Sequence, residues 1–127
     1  MSTALTDGIL VEVESAFQPE RSEPRSRRWL FSYTITIRNE GSEPARLRAR
    51  HWLITDATGH VEEVEGEGVV GQQPRLEPGE AFQYTSYCVL GTTHGSMAGE
   101  YRMVRDDGAA FDAAIAPFPL RIPALVN

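Results

Sequence analysis

The chain has 127 residues, 41% of them hydrophobic and 24% charged, with a formal net charge of −6. That size and composition suit one globular domain spanning 1–127, and the acidic balance argues against a whole-domain nucleic-acid binder. Cys88 is the only cysteine, so no intrachain disulfide can form, and neither the opening MSTALTDGIL nor the uncharged run between Glu80 and Glu100 reads as a signal peptide or membrane span, so a soluble cytoplasmic domain is expected.

Period-two alternation dominates the chain. Ile9–Phe17 gives a first strand, with Val11, Val13, Ser15 and Phe17 on one face and Glu12 and Glu14 on the other. The arginine-rich QPERSEPRSRR, residues 18–28, reads as a mobile, solvated loop. WLFSYTITIR, residues 29–38, is the clearest strand, and NEGSEP turns it. RLRARHWLIT, residues 46–55, is a third strand, DATG a turn, and HVEEVE a short fourth strand. GEGVVGQQPRLEPGE is an irregular connection whose Pro78-Gly79 suits the centre of a type II turn. AFQYTSYCVL (81–90) and MAGEYRMVR (97–105) follow as strands. Asp107-Gly108 is a hairpin signal, and 109–122 form a seventh strand whose prolines confine it to an edge or bulge. Seven strands with turns between them predict an all-β, immunoglobulin-like or fibronectin type III-like antiparallel sandwich.

Residues 66–71, GEGVVG, match the G-x-G-x-x-G spacing that cradles pyrophosphate in dinucleotide-binding proteins. The mechanism of that motif needs a helix starting at the third glycine. Here QQPRLEPGE follows, with two prolines, and Glu62, Glu63, Glu65 and Glu67 crowd the loop with negative charge. If DATG closes a two-residue hairpin, Arg46, Arg48, Arg50 and Trp52 share a face with Glu63, Glu65 and Glu67, and the glutamates become a ladder of surface ion pairs. Trp52 then falls opposite Leu47 and Leu53 unless a bulge turns it inward.

Other chemistry is sparse. His51, His60, His94 and Cys88 lack zinc-ligand spacing, and the glutamates are a Mg²⁺ candidate already accounted for by ion pairing, so no metal or cofactor is expected. Ser96 in THGSMAG is misplaced for a nucleophile elbow, Cys88 reads as core, and Asp106 and Asp107 as turn residues.

EGEGVVGQQPRLEPGEAFQYTS, residues 65–86, closely resembles the signature of the ApaG family, and RWLFSYTITIRNEG, HWLITDATG and GEYRMV resemble its second, third and sixth strands. The similarity spans nearly the whole chain. It implies a fibronectin-III-like sandwich, and a non-enzymatic binding or regulatory domain with no established catalysis. It further implies an indirect association with cobalt resistance and magnesium efflux. Related domains in some eukaryotic F-box proteins and in a DNA-polymerase-interacting protein act as interaction modules. The glycine motif of the family has been suspected of binding pyrophosphate or nucleotide. On this reading Gly66, Gly68, Gly71 and Gln73 are the candidate ligand-binding residues, no residue is assigned a catalytic role, and a protein partner is expected. An enzyme or sensor acting on pyrophosphate or dinucleoside polyphosphates is the alternative. His51, where tyrosine is common, and Tyr87, Cys88 and His94 depart from the family pattern.

Overall fold

The computed structural model describes residues 1–123. Residues 124–127 of the expected 1–127 domain lie outside the described residues. Nine strands form among the described residues: β1 (Ser2–Thr6), β2 (Ile9–Phe17), β3 (Trp29–Asn39), β4 (Ala45–Asp56), β5 (Val61–Glu67), β6 (Arg75–Leu76), β7 (Ala81–Leu90), β8 (His94–Arg105) and β9 (Ala110–Arg121). They make two antiparallel sheets, β1-β2-β3-β7 and β5-β4-β8-β9, with β6 also paired to β4. The inward residues of both sheets bury a single core, including Val11, Phe31, Ile35, Leu47, Met103 and Leu120. The expected all-β sandwich is the observed fold.

Two strands exceed the expected seven. β1 arises because Asp7-Gly8 closes a hairpin, with Asp7 at φ 47 and Gly8 at φ 83. Ser2–Thr6 alternates weakly in sequence, and the turn rather than the pattern marks it. β6 is two residues long, too short to carry a period. Residues 18–28 form the expected solvated connection, with two proline-initiated single-turn 3₁₀ helices within it, Pro19–Arg21 and Pro24–Ser26. Ser22 ties them down, donating to the Gln18 carbonyl and accepting from the Leu30 amide.

The expected arginine–glutamate ladder is absent. The β4–β5 register pairs Ala49 with Glu67, His51 with Glu65 and Leu53 with Glu63. The turn contains three residues rather than two. Gly59, at φ 89, occupies the left-handed position that follows a type I turn, and Asp56 Oδ1 caps the amides of Thr58 and His60. One extra residue moves every side chain of β5 to the other face relative to β4. A second irregularity acts within β4. The register with β8 slips between Leu47 and Ala49, so Arg48 has no partner there and the parity of the strand changes. Leu47 points inward before the bulge; Trp52 is buried after it.

Trp52 then centres an aromatic cluster, with ring centroids 5.5 Å from Tyr33, 5.9 Å from Phe118 and 6.3 Å from Tyr101, all near edge-to-face. Gly99 of β8 pairs with Trp52, and any Cβ there would lie 2.0 Å from the His51 carbonyl oxygen. The prolines of β9 sit as expected on an edge strand. Pro117 falls where the register with β8 shifts, and the Pro119 carbonyl accepts a hydrogen bond from Ser15 of the other sheet. Together with Ala114 N donating to Thr6 Oγ1 and Arg105 donating to the Asp7 carbonyl, this seals the β1/β9 side. Among the described residues no hydrogen bond joins β5 to β7 on the other side.

Candidate functional site

The glycine-rich segment lies at the open β5/β7 side. β5 and β6 run along the same edge of β4, and Gly68–Pro74 is the excursion between them. Its centre is a two-residue turn. Val69 and Gln72 exchange both backbone hydrogen bonds, at 2.8 and 2.9 Å, around Val70 (φ 44) and Gly71 (φ 79). Positive φ at both central positions defines a type I′ turn, a shape that favours Asn-Gly or Gly-Gly. Gly71 fits it. Val70 does not, because a β-branched residue at positive φ is a steric outlier.

Backbone and side chains of β4 hold the excursion in place. Arg50 Nη1 donates to the carbonyls of both Glu67 and Gly68 at 2.9 Å. The Arg48 carbonyl accepts from Gly68 N and from Gln73 Nε2, while Arg46 donates to the Gln73 carbonyl and Leu47 N to that of Pro74. The Arg48 bulge aims Arg50 toward the loop. Each glycine has its own reason. A Cβ at Gly66 would lie 2.6–2.7 Å from the Arg50 guanidinium, and one at Gly68, already at φ 61, would lie 2.3 Å from the Gln72 carbonyl oxygen. A Cβ at Gly71 meets nothing, so only its φ of 79 matters.

Gly66, Gly68, Gly71 and Gln73 are thus brought together, in an arrangement unlike a phosphate cradle. No helix follows Gly71; Gln72, Gln73 and Pro74 lead into β6. The amides of Gly68, Val69 and Gln72 are occupied by the Arg48, Gln72 and Val69 carbonyls. Val69 is buried beneath the turn, whereas Val70 is 53% exposed at its tip.

Below the turn, a cleft of about 340 Å³ opens into the sandwich, lined among others by Val69, Arg50, Tyr33, Tyr84 and Ser86. Tyr84 and Tyr101 share a hydroxyl–hydroxyl hydrogen bond of 2.5 Å. Burial raises the pKa of Tyr33, Tyr84 and Tyr101 above the ordinary phenol value, and for Tyr33 a hydrogen bond with Ser86 opposes it. All three phenols therefore stay protonated at neutral pH, as hydrogen-bonding groups rather than bases. Cys88 is buried as expected, and burial pushes its thiol up to about 11. It is not a thiolate nucleophile at neutral pH. Asp107 caps its turn as expected, accepting from Ala109 N, but Asp106 also makes a two-point ion pair with Arg75. His94, on the first residue of β8, contacts Thr93. Sequence reasoning missed Val70, whose placement at the first position of a type I′ turn is the signal; His51, set aside for want of ligand spacing, is placed by the register beside Glu63, Glu65 and Glu100.

Fold and loop together define a two-sheet, fibronectin-III-like domain with a stiffened glycine hairpin at one open edge. The sequence model of the ApaG domain matches residues 19–105. The chain is 65% identical over 127 residues to the ApaG protein of Anaeromyxobacter dehalogenans strain 2CP-C, with both chains covered in full, and 55% identical over 127 residues, again in full, to that of Stenotrophomonas maltophilia. A solved structure from Bordetella pertussis superposes with a TM-score of 0.89 at 47% identity, covering 92% of this chain and 95% of the other. The chain belongs to the ApaG family. A protein from Archaeoglobus fulgidus, 10% identical, shares the fold alone, with a TM-score of 0.55 over 90% of this chain and 98% of the other.

Proposed function

We propose that the protein is a non-enzymatic recognition domain that presents the hairpin of residues 66–73 to a protein partner. Val70 carries this reading. It is an exposed, apolar, β-branched residue at φ 44, at the tip of a turn that Val69 and Gln72 close with two backbone hydrogen bonds and that Arg50 ties to β4 through the Glu67 and Gly68 carbonyls. Strain that the rest of a fold over-determines collects at binding and switch sites. A loop already fixed to β4 needs little ordering on binding, and an exposed apolar side chain at its tip gains when a partner covers it. Glu62, Glu63 and Glu65 run alongside, which favours a basic partner surface.

Phosphate recognition by the same loop, and with it an enzyme or sensor acting on dinucleoside polyphosphates, has less support, because three of the loop's amides already have partners. A contribution to cobalt resistance or magnesium efflux is on this reading indirect, exerted in the cytoplasm through the partner. No helix among the described residues is long and apolar enough to cross a membrane. The test compares immobilised wild type with Val70→Asn and Val61→Asn, quantifying the proteins each retains from cell extract. A species held by wild type and Val61→Asn but lost from Val70→Asn is expected. If everything retained is indifferent to Val70→Asn, the hairpin is not the recognition surface.

A further inference from the structure

The outer face of the second sheet carries a cluster that plays no part in the hairpin. His51, on β4, lies between Glu63 and Glu65 of β5 on one side and Glu100 of β8 on the other. Its Nδ1 is 2.7 Å from Glu100 Oε1; its Nε2 is 3.0 Å from Glu63 Oε1 and 3.8 Å from Glu65 Oε1. A neutral imidazole has one N–H and one lone pair. With the N–H on Nδ1, directed to Glu100 across the shortest contact, the Nε2 lone pair faces two carboxylates. That arrangement calls for a positive charge between them, which a proton on Nε2 or a bound cation can supply.

The surrounding arginines do not supply that charge. The two-residue hairpin of the sequence reading would have given these glutamates arginine neighbours, but the observed register faces them to His51 instead. Arg50 is committed to the loop carbonyls and Arg102 to Asp112. One ligand atom from each of His51, Glu63 and Glu65 can be chosen so that all lie within 4.8 Å of one another. Small side-chain adjustments would close them onto an ion with bonds of about 2.0–2.2 Å. A histidine whose outer nitrogen is fixed by a carboxylate is the usual support of a metal-bound imidazole.

We infer that His51, Glu63 and Glu65 form a surface site for a borderline divalent transition-metal ion such as Zn²⁺, with Glu100 positioning the imidazole. One nitrogen and two carboxylate oxygens select that class over Mg²⁺, which prefers all-oxygen shells and keeps its waters. The remaining coordination positions face solvent. The site is independent of the hairpin reading and stands or falls without it.

Calorimetric titration of the folded protein with Zn²⁺ tests it, alongside NMR of the His51 ring protons. One saturable Zn²⁺ per chain is expected, with the largest shifts at His51 and no competition from Mg²⁺. His51→Gln should abolish binding. Glu100→Gln should weaken it by about 10–100-fold, the usual effect of losing an outer partner, and Glu65→Gln by at least as much. His60→Gln and His94→Gln should leave it unchanged. The Glu65 side chain is 71% exposed, so Glu65→Gln decides the matter even if His51→Gln fails to fold. No saturation at millimolar Zn²⁺, a site that survives Glu65→Gln unchanged, or equal affinity for Mg²⁺ would overturn the inference.

Discussion

Replacing Val70 by asparagine should make the protein more stable. The left-handed conformation costs an L-residue about 1–2 kcal/mol, most for a β-branched side chain, whereas asparagine visits it readily. Against this stands the loss of apolar burial from a half-exposed side chain, on the order of 0.5 kcal/mol. The net expectation is a gain of about 0.5–1.5 kcal/mol. Urea unfolding is the assay, with a raised midpoint and unchanged slope as the signature. In a chain of this length each kcal/mol also lifts Tm by about 3–6 °C. The control is Val61→Asn. Val61 is 51% exposed, close to the 53% of Val70, but it opens β5 and is not at positive φ. There the same substitution loses burial and β-propensity with no strain to relieve, so it should destabilise. Opposite signs at two equally exposed valines isolate the backbone term. If Val70→Asn is neutral or destabilising, or if both valines respond alike, Val70 is not strained and its backbone does not mark the hairpin as a recognition surface.

Gly68→Ala should destabilise by about 1–3 kcal/mol, because its Cβ would sit 2.3 Å from a backbone oxygen at φ 61, and urea unfolding again measures it. Amide NMR titration with pyrophosphate, ATP and diadenosine tetraphosphate, with and without Mg²⁺, should leave Gly66–Gln73 unmoved; saturable shifts there would revive the phosphate reading. His51 should titrate above 6.5, since the hydrogen bonds its ring N–H groups donate, first to Glu100 and then to Glu63, favour its protonated form. Its raised folded-state pKa gives a stabilising contribution that is complete below pH 6.5 and lost as pH rises through the folded value; His51→Gln should remove that pH dependence.

How far the sequence foretells the structure depends on whether one local signal decides each element. β2, β3 and β7 alternate over nine or more residues with β-branched and aromatic side chains, and their spans follow directly. β1 depends on Asp7-Gly8, a signal of the same kind as Asp107-Gly108 but attached to a weaker strand. The β4–β5 register turns on one residue of loop length, and Gly59 after Asp56 is the feature that marks three. The Arg48 bulge is set by tertiary packing, since it lets both Leu47 and Trp52 reach the core, and no local pattern encodes that. The glycine spacing located the loop, yet its mechanism was illegible. Gly66 answers to Arg50 and Gly68 to Gln72, and the first of these contacts joins different strands. His51 and its glutamates became a cluster only once three strands were in register.

The seam between β1 and β9 bears on how the chain is made. Thr6 bonds Ala114, Ser15 bonds Pro119 and Asp7 bonds Arg105, across separations of 108, 104 and 98 residues. Contacts of such long range form slowly, because the chain must be closed before they reward it. During synthesis the first two strands emerge long before their partner across the sandwich exists. Until β9 arrives, the inner face of the β1-β2 hairpin lacks part of its cover, the kind of exposure that makes nascent chains prone to association. The arrival of β9 therefore completes the enclosure of β1.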